Sequence, residues 1–239
     1  MYGKKTEEKK MESNHPSLIE ELRPGLLQRN NMSRKFGKRN ELTEAAKKLI
    51  YQQGFNMTTL FDIALESNVP LGAIYYYFKT KTDIGVAVLN SIAAEQKIFL
   101  EHLNQEPSPK VRLHYFLEHT KQDCKSIMLQ GCRIGTLCQE FAKEGGVLHK
   151  LAARVMMDAL LWVEAQFYTL GFVEEASDLS LDLMYRLQGT FLLAYAFKDS
   201  NLITREITLL QDFIEERAAE RVHEFEESVK ASIWGACMY

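Results

Sequence analysis

From Lys38 onward the apolar residues fall on a helical period. Leu42, Ala45, Ala46, Leu49 and Ile50 stand at i, i+3, i+4, i+7 and i+8, one stripe along a helix that Gly54 ends. Thr59 followed three residues later by Asp62 has the form of a capping box. It predicts a short second helix with Leu60, Ile63 and Ala64 on its inner face. Asn68 stands where the chain must turn, since Asn tolerates the left-handed conformation. Pro70 suits the start of a third helix over about residues 71–77. Thr80 and Asp83 repeat the capping box and open a fourth helix, with Ile84, Val88 and Ile92 on one face. Two short helices joined by a tight turn and braced by longer ones form a helix-turn-helix arrangement. Beyond Pro109 the pattern predicts helices near 109–128, 131–143, 147–170, 176–197 and 203–228, punctuated by Gly145-Gly146, Gly171 and a turn at Asp199–Asn201. No stretch alternates with the two-residue period of a strand, so the fold class is all-α.

The expected domains are a three-helix helix-turn-helix unit over 38–84 and a larger helical unit over 85–239. Residues 1–37 stand apart. They hold KKTEEKK, prolines at 16 and 24, and one apolar patch at Leu18, Ile19 and Leu22. We expect a flexible extension there. Met32 begins a stretch that itself passes for a start, so the upstream residues are either an extended start or a functional arm.

Composition narrows the class. The 239 residues are 46% hydrophobic and 26% charged, ordinary for a globular chain. The net charge of −3 argues, taken globally, against a nucleic-acid binder. The distribution reverses that argument. Residues 34–81 hold eight Lys/Arg against four Asp/Glu, a net of +4, while residues 82–239 hold 15 against 23, a net of −8. A basic head on an acidic body confines any electrostatic footprint for polyanions to the head. The longest uncharged run, 49–61, is thirteen residues and includes Gln, Asn and Gly. That is short of the roughly 18 apolar residues a membrane span needs. The Lys- and Glu-rich start lacks the apolar core of a secretory signal. The expected location is cytoplasmic, with Cys124, Cys132, Cys138 and Cys237 reduced. The cysteines and His102, His114, His119 and His149 show no zinc-ligand spacing. With no Ser-His-Asp order, phosphate loop or dinucleotide Gly motif, we expect no metal, no cofactor and no enzyme.

Residues 58–81 read TTLFDIALESNVPLGAIYYYFKTK. The Thr-Thr pair, Asp-Ile-Ala, the turn before Val69, Gly-Ala-Ile-Tyr-x-Tyr-Phe and the closing Lys-x-Lys closely resemble the TetR family of transcriptional regulators. The resemblance covers roughly residues 38–90. Two positions depart from the usual pattern: Asn68, where Gly is common, and Leu71, where polar base-reading residues are common. The resemblance implies that the third helix is a recognition helix whose first residues, Leu71, Gly72 and Ala73, meet base edges in the major groove. They are small or apolar and suit thymine methyls. Tyr75 and Tyr76 point away from the side buried by Ile74 and Phe78, within reach of phosphates, while Tyr77 and Phe78 read as core. Thr59 adds a hydroxyl beside the free amides of a helix start. Lys79 and Lys81 lie before the fourth helix, and the resemblance puts Lys81 on the phosphate backbone. Arg34, Lys35, Lys38 and Arg39 precede the first helix and read either as a basic arm for the minor groove or phosphates, or as a solvated tail.

The resemblance further implies that the second half binds a small molecule and dimerises through its last two helices. Leu181, Gln188, Leu192 and Tyr195 recur at helical spacing on the penultimate helix, and Ile207, Leu210, Ile214 and Phe225 on the last. An intramolecular core reads the same way. Aromatic and soft residues are the candidates for an effector pocket: Tyr115, Phe116, His119, Met128, Cys132, Phe141, Met156, Trp162, Phe167 and Tyr185. Each reads equally as plain core. The segment Gly131–Leu137 resembles the Gly-Cys segment of a subgroup of the family, some of whose members respond to electrophiles or oxidants. Arg133 beside Cys132 would favour the thiolate there. The alternative is a small buried residue at a helix start. The resulting expectation is a homodimeric repressor of double-stranded operator DNA, released by a small-molecule effector. The alternatives are a thiol sensor through Cys132, and a helical interaction or ligand-binding protein that has lost DNA binding.

Overall fold

The computed structural model describes residues 34–236, which form ten α-helices. These are α1 (Arg34–Gln53), α2 (Leu60–Ser67), α3 (Leu71–Tyr77), α4 (Lys81–Leu103), α5 (Pro109–Gln122), α6 (Cys124–Gln130), α7 (Arg133–Glu144), α8 (Gly146–Thr169), α9 (Ala176–Phe197) and α10 (Asn201–Ala236). Among the described residues there is no strand, and no helix is long and apolar enough to cross a membrane. Residues 1–33 and 237–239, Cys237 among them, and the side chains of residues 34–36, 224–225 and 228–236, which include Arg34, Lys35 and Phe225, lie outside the described residues. By its contacts the chain divides after Arg39. The described part of the first unit is the opening of α1, and the second unit holds the rest.

Local chemistry sets the boundaries of the short helices. Thr59 caps α2 and Thr80 caps α4, each accepting from the amide of the Asp three residues on while that Asp accepts from the cap's own amide. Asn68 ends α2 at φ 50°, ψ 39° in the left-handed region, and Gly54 ends α1 at φ 86°. Other boundaries differ from expectation. α1 begins at Arg34, ahead of the apolar stripe that starts at Leu42, and runs through Gly37. The helix expected over 109–128 is two helices that meet at Asp123, whose ψ of 2° interrupts the spiral. Leu113, Leu117 and Ile127 stay buried on both sides of that break, so the apolar pattern carries through it. The last helix runs eight residues beyond the expected 228, to Ala236.

The buried residues form two clusters. The first joins Leu42, Ala46 and Ile50 of α1, Ile63, Ile74 and Phe78 of the helix-turn-helix, and Ile84, Val88 and Leu89 of α4. Leu137 and Phe141 of α7 and Leu148, Ala152 and Val155 of α8 complete it. The second gathers α5, α6, α9 and α10 around Ala159, Val163 and Phe167 of α8. The core therefore does not break at residue 84, and α8 supplies both clusters along its length.

Candidate nucleic-acid interface

Ile74 and Phe78 are fully buried, which fixes the opposite face of α3 outward. That face carries Leu71, Gly72, Tyr75 and Tyr76, with the two tyrosines 48% and 61% exposed. Ala73 and Tyr77 pack half-buried against the first cluster, and the Tyr76 ring meets Tyr77 edge-on at 5.1 Å. The lysines stand at the ends of this surface. Lys79 Nζ donates to the Tyr75 carbonyl (2.9 Å), and Lys81 Nζ donates to the Asn56 carbonyl (3.0 Å) while lying 4.6 Å above the Phe55 ring. An ammonium has three N–H donors, so each lysine keeps donors beyond the one that positions it.

Thr59 makes the expected capping box, which takes up the hydroxyl also read as a phosphate contact. Its hydroxyl donates to Asp62 Oδ2 (2.7 Å) and accepts from the Asp62 amide (3.1 Å), so the cap already occupies it. The Thr59 hydroxyl and then its amide, both donating to the Asp62 carboxylate, hold that carboxyl below its usual pKa. Arg34, Lys35, Lys38 and Arg39 are positions of α1 itself, which corrects the expectation that they precede it as an arm. Three exposed apolar residues were not anticipated: Met57, Phe61 and Leu65, at intervals of four beside and along α2. The inner face of Leu60, Ile63 and Ala64 leaves Phe61 and Leu65 outside, and that was the available signal.

In the body the two last helices differ. Ile207, Leu210 and Ile214 are fully buried in the second cluster, which removes them from any surface between chains and corrects that expectation. On α9, Leu192 and Tyr195 are exposed and Leu181 and Gln188 half-buried. Tyr185, Leu192, Leu193 and Phe197 leave an apolar outer face with Gly189 at its centre, where an added Cβ would meet nothing within 4 Å.

The pocket candidates scatter. Phe141 is core, packed edge-on against Phe55 (4.9 Å), and Phe167 is core against Phe172 (6.3 Å). Tyr185 is 68% exposed on α9 and Tyr115 is exposed on α5, so neither joins an enclosed site. Met128, Cys132 and Met156 are half-buried. Phe116, His119 and Trp162 come together around Phe99, with ring centroids 4.3 Å apart for Phe99–His119 and 5.5 Å for Phe116–Trp162. His119 Nδ1 is buried there without a hydrogen-bond partner, and burial lowers its pKa. Trp162 donates through Nε1 to Asn104 Oδ1 (3.0 Å) and borders a groove of about 600 Å³ between α4 and α8. Leu100, Leu151 and Val155 line the groove beside Gln96, Asn104 and Arg154. Among the described residues no group of His, Cys, Asp and Glu is placed to hold a metal ion.

Cys132 caps α7, its Sγ accepting from the Gly135 amide (3.4 Å). Burial pushes its thiol pKa up, outweighing Arg133, which instead reaches Glu95 (3.7 Å) and the Tyr51 ring. This corrects the expectation of an activated thiolate. Cys138 is pushed up to about 11, again by burial. Sequence reasoning also missed Glu140. From α7 its carboxylate accepts the amides of Phe55 (2.9 Å) and Asn56 (2.6 Å) in the α1–α2 loop. Tyr51 adds a second tie to the body by donating to the Gly131 carbonyl (3.1 Å). A lone acid on an amphipathic helix gives no signal of such a role.

The sequence model for bacterial regulatory proteins of the tetR family matches residues 42–88, the stretch from α1 to the start of α4. An uncharacterised HTH-type transcriptional regulator from Lactococcus lactis is 25% identical over 182 residues, covering 74% of this chain and 93% of the relative. The HTH-type transcriptional repressor NemR of Escherichia coli is 30% identical over 97 residues, 39% of this chain and 49% of the relative. A TetR transcriptional regulator from Legionella pneumophila shares the fold with a TM-score of 0.68 at 21% identity, covering 79% of this chain and 99% of that one. With the capped α2, the left-handed turn at Asn68 and the outward face of α3, residues 42–88 match the DNA-binding domain of the tetR family of bacterial regulatory proteins, and the chain shares the fold of TetR regulators.

Proposed function

We propose that this protein is a homodimeric repressor that seats α3 in the major groove of operator DNA and is released by a small-molecule effector. The observation that carries the reading is the outward face of α3, with two exposed tyrosines flanked by Lys79 and Lys81 on the net-positive part of the chain. Tyrosine hydroxyls and ammonium groups serve as phosphate contacts that set position and affinity, while the remaining positions of α3 meet base edges. A twofold dimer would space two copies of α3 by one helical turn of DNA, about 34 Å, or a multiple of it. The α9 outer face suits the second copy, because Gly189 lets another helix backbone approach closely.

The effector site favoured is the groove between α4 and α8 with the aromatic cluster behind Trp162. An apolar wall with a few polar groups is the ordinary make-up of such a site. A ligand wedged there would act on α8, which packs against α7 in the first cluster. α7 holds the α1–α2 loop through Glu140, so a shift in α8 would reach the head. Release then requires that the ligand bind the DNA-incompetent arrangement more tightly. The repressor name of the Escherichia coli relative supports the direction of control.

The test is selection of duplexes from a random pool by the purified full chain, followed by titration at several salt concentrations. The reading expects a palindromic sequence whose affinity falls steeply with salt, and a Lys81→Ala variant whose salt slope is smaller by about 1. Flat enrichment would remove it and favour an interaction protein that has lost DNA binding.

A further inference from the structure

The exposed face of α3 combines two features that the TetR fold alone does not explain. The first is chemical. Side chains that read bases by hydrogen bonds are Arg and Lys for guanine, Asn and Gln for adenine, Asp and Glu for cytosine. None occurs on α3, whose sequence is LGAIYYY. Its one outward aliphatic side chain is Leu71, 37% exposed. The base-edge group in the major groove that an aliphatic side chain recognises is the C5 methyl of thymine.

The second feature is Gly72. It lies inside α3 and is not among the glycines with positive φ, so no special backbone conformation requires it. Among the described residues an added Cβ would meet nothing within 4 Å, so no packing among them requires it either. Gly85 makes the contrast: a Cβ there would come within 2.9 Å of Phe55 and 3.0 Å of Leu148, and its absence is explained internally. Glycine is less favourable than alanine in a helix. The atoms that need the space at Gly72 therefore lie outside the described residues. On the reading above, those atoms are DNA, and a bare backbone at Gly72 lets α3 sink far enough for Leu71 to touch a base.

We propose that Leu71 is the specificity-determining residue of this regulator, reading thymine C5 methyl groups in each half-site, and that Gly72 provides the close approach this contact needs. The proposal rests on α3 being the recognition helix, and it adds what α3 recognises. The operator half-site beneath Leu71 is then T·A rather than G·C, and discrimination there depends on a methyl group.

The experiment uses the full chain and the duplex recovered by selection, with each thymine in turn replaced by deoxyuridine. That change removes the C5 methyl and leaves the Watson–Crick edge intact. For the wild type we expect one or two positions per half-site to weaken binding by about fourfold each, the loss typical of one buried methyl. In Leu71→Ala the same substitutions should cost nothing. Gly72→Ala should bind about tenfold or more weakly through overpacking at the groove, yet unfold about 2 °C higher. Opposite movement of affinity and stability separates a DNA contact from damage to the fold. Neutral deoxyuridine at every position, or equal penalties in wild type and Leu71→Ala, would overturn the assignment of Leu71. Unchanged affinity of Gly72→Ala would overturn the close approach. If selection yields no preferred duplex, the recognition-helix reading itself falls, and this inference with it.

Discussion

The head and the body of this protein are built the same way and leave different things outside. In both, helices bury one apolar stripe and α8 helps to fill the core behind them. In both, a helix also keeps an apolar face exposed: Leu71 and two tyrosines on α3, Tyr185, Leu192 and Leu193 on α9. The surroundings separate them. The α3 face is flanked by Lys79 and Lys81 within a segment of net +4. The α9 face lies in a segment of net −8, and its Arg186 is already paired with Glu206 (2.6 Å). An exposed apolar face does not name its partner, but the charge beside it does. Lysines beside tyrosines fit a polyanion, and an apolar face with a central glycine in an acidic segment fits another protein helix.

The comparison can be broken where the two cores meet. Phe141→Ala and Phe167→Ala remove equally buried rings from the first and second clusters. Each should cost about 3–5 kcal/mol in urea unfolding. Only Phe141→Ala should also weaken DNA binding at temperatures where the fold persists, because its ring supports Phe55 beside the α1–α2 loop. Equal effects on DNA binding would mean that the head does not depend on the first cluster.

A smaller effect is expected at Glu140. Glu140→Gln keeps the size of the side chain but replaces a charge-assisted acceptor with an amide, at a cost of about 1–3 kcal/mol. DNA affinity should fall, and so should any response of DNA binding to an effector, since the variant loosens the tie between α7 and the loop. Unchanged affinity, measured by titration of the selected duplex, would place the coupling elsewhere.

The smallest effect belongs to the body alone. Burial lowers the His119 pKa below its ordinary value of 6.5, so the unfolded chain takes up that proton first. This contribution to stability is complete above about pH 6.5 and declines as the pH falls below it. Denaturant titrations at pH 7.5 and 5.5 should show a smaller loss for His119→Phe than for the wild type. DNA binding at pH 7.5 should be unaffected by the variant.

The sequence was most legible where structure is local. Thr59 with Asp62, Thr80 with Asp83, Asn68 and Pro70 each determine a boundary through their own chemistry, so α2 and α3 could be placed closely. α1 was read short because the apolar stripe in the sequence begins only at Leu42. The α5–α6 break was missed because Asp123 interrupts the backbone while the apolar period continues across it. The stripe Ile207, Leu210, Ile214 was legible as a stripe, but period alone does not say whether it packs inside the chain or against a second copy. Glu140, Phe99 and the α4–α8 groove depend on residues far apart in sequence, and no spacing rule connects them. The boundaries of α2 and α3 are set by residues close in sequence, whereas the contacts that tie the head to α7 and α8 are not.

On the proposed reading the head meets DNA through α3 while the body does not. That reading is tested most directly by photo-crosslinking from two tyrosines of similar exposure, Tyr76 on α3 (61%) and Tyr168 on α8 (57%). Each is replaced in the full chain by p-benzoylphenylalanine and irradiated with the selected duplex. A crosslink to DNA is expected from position 76 and none from position 168. Crosslinking from 168 alone, from both positions equally, or from neither would contradict that reading.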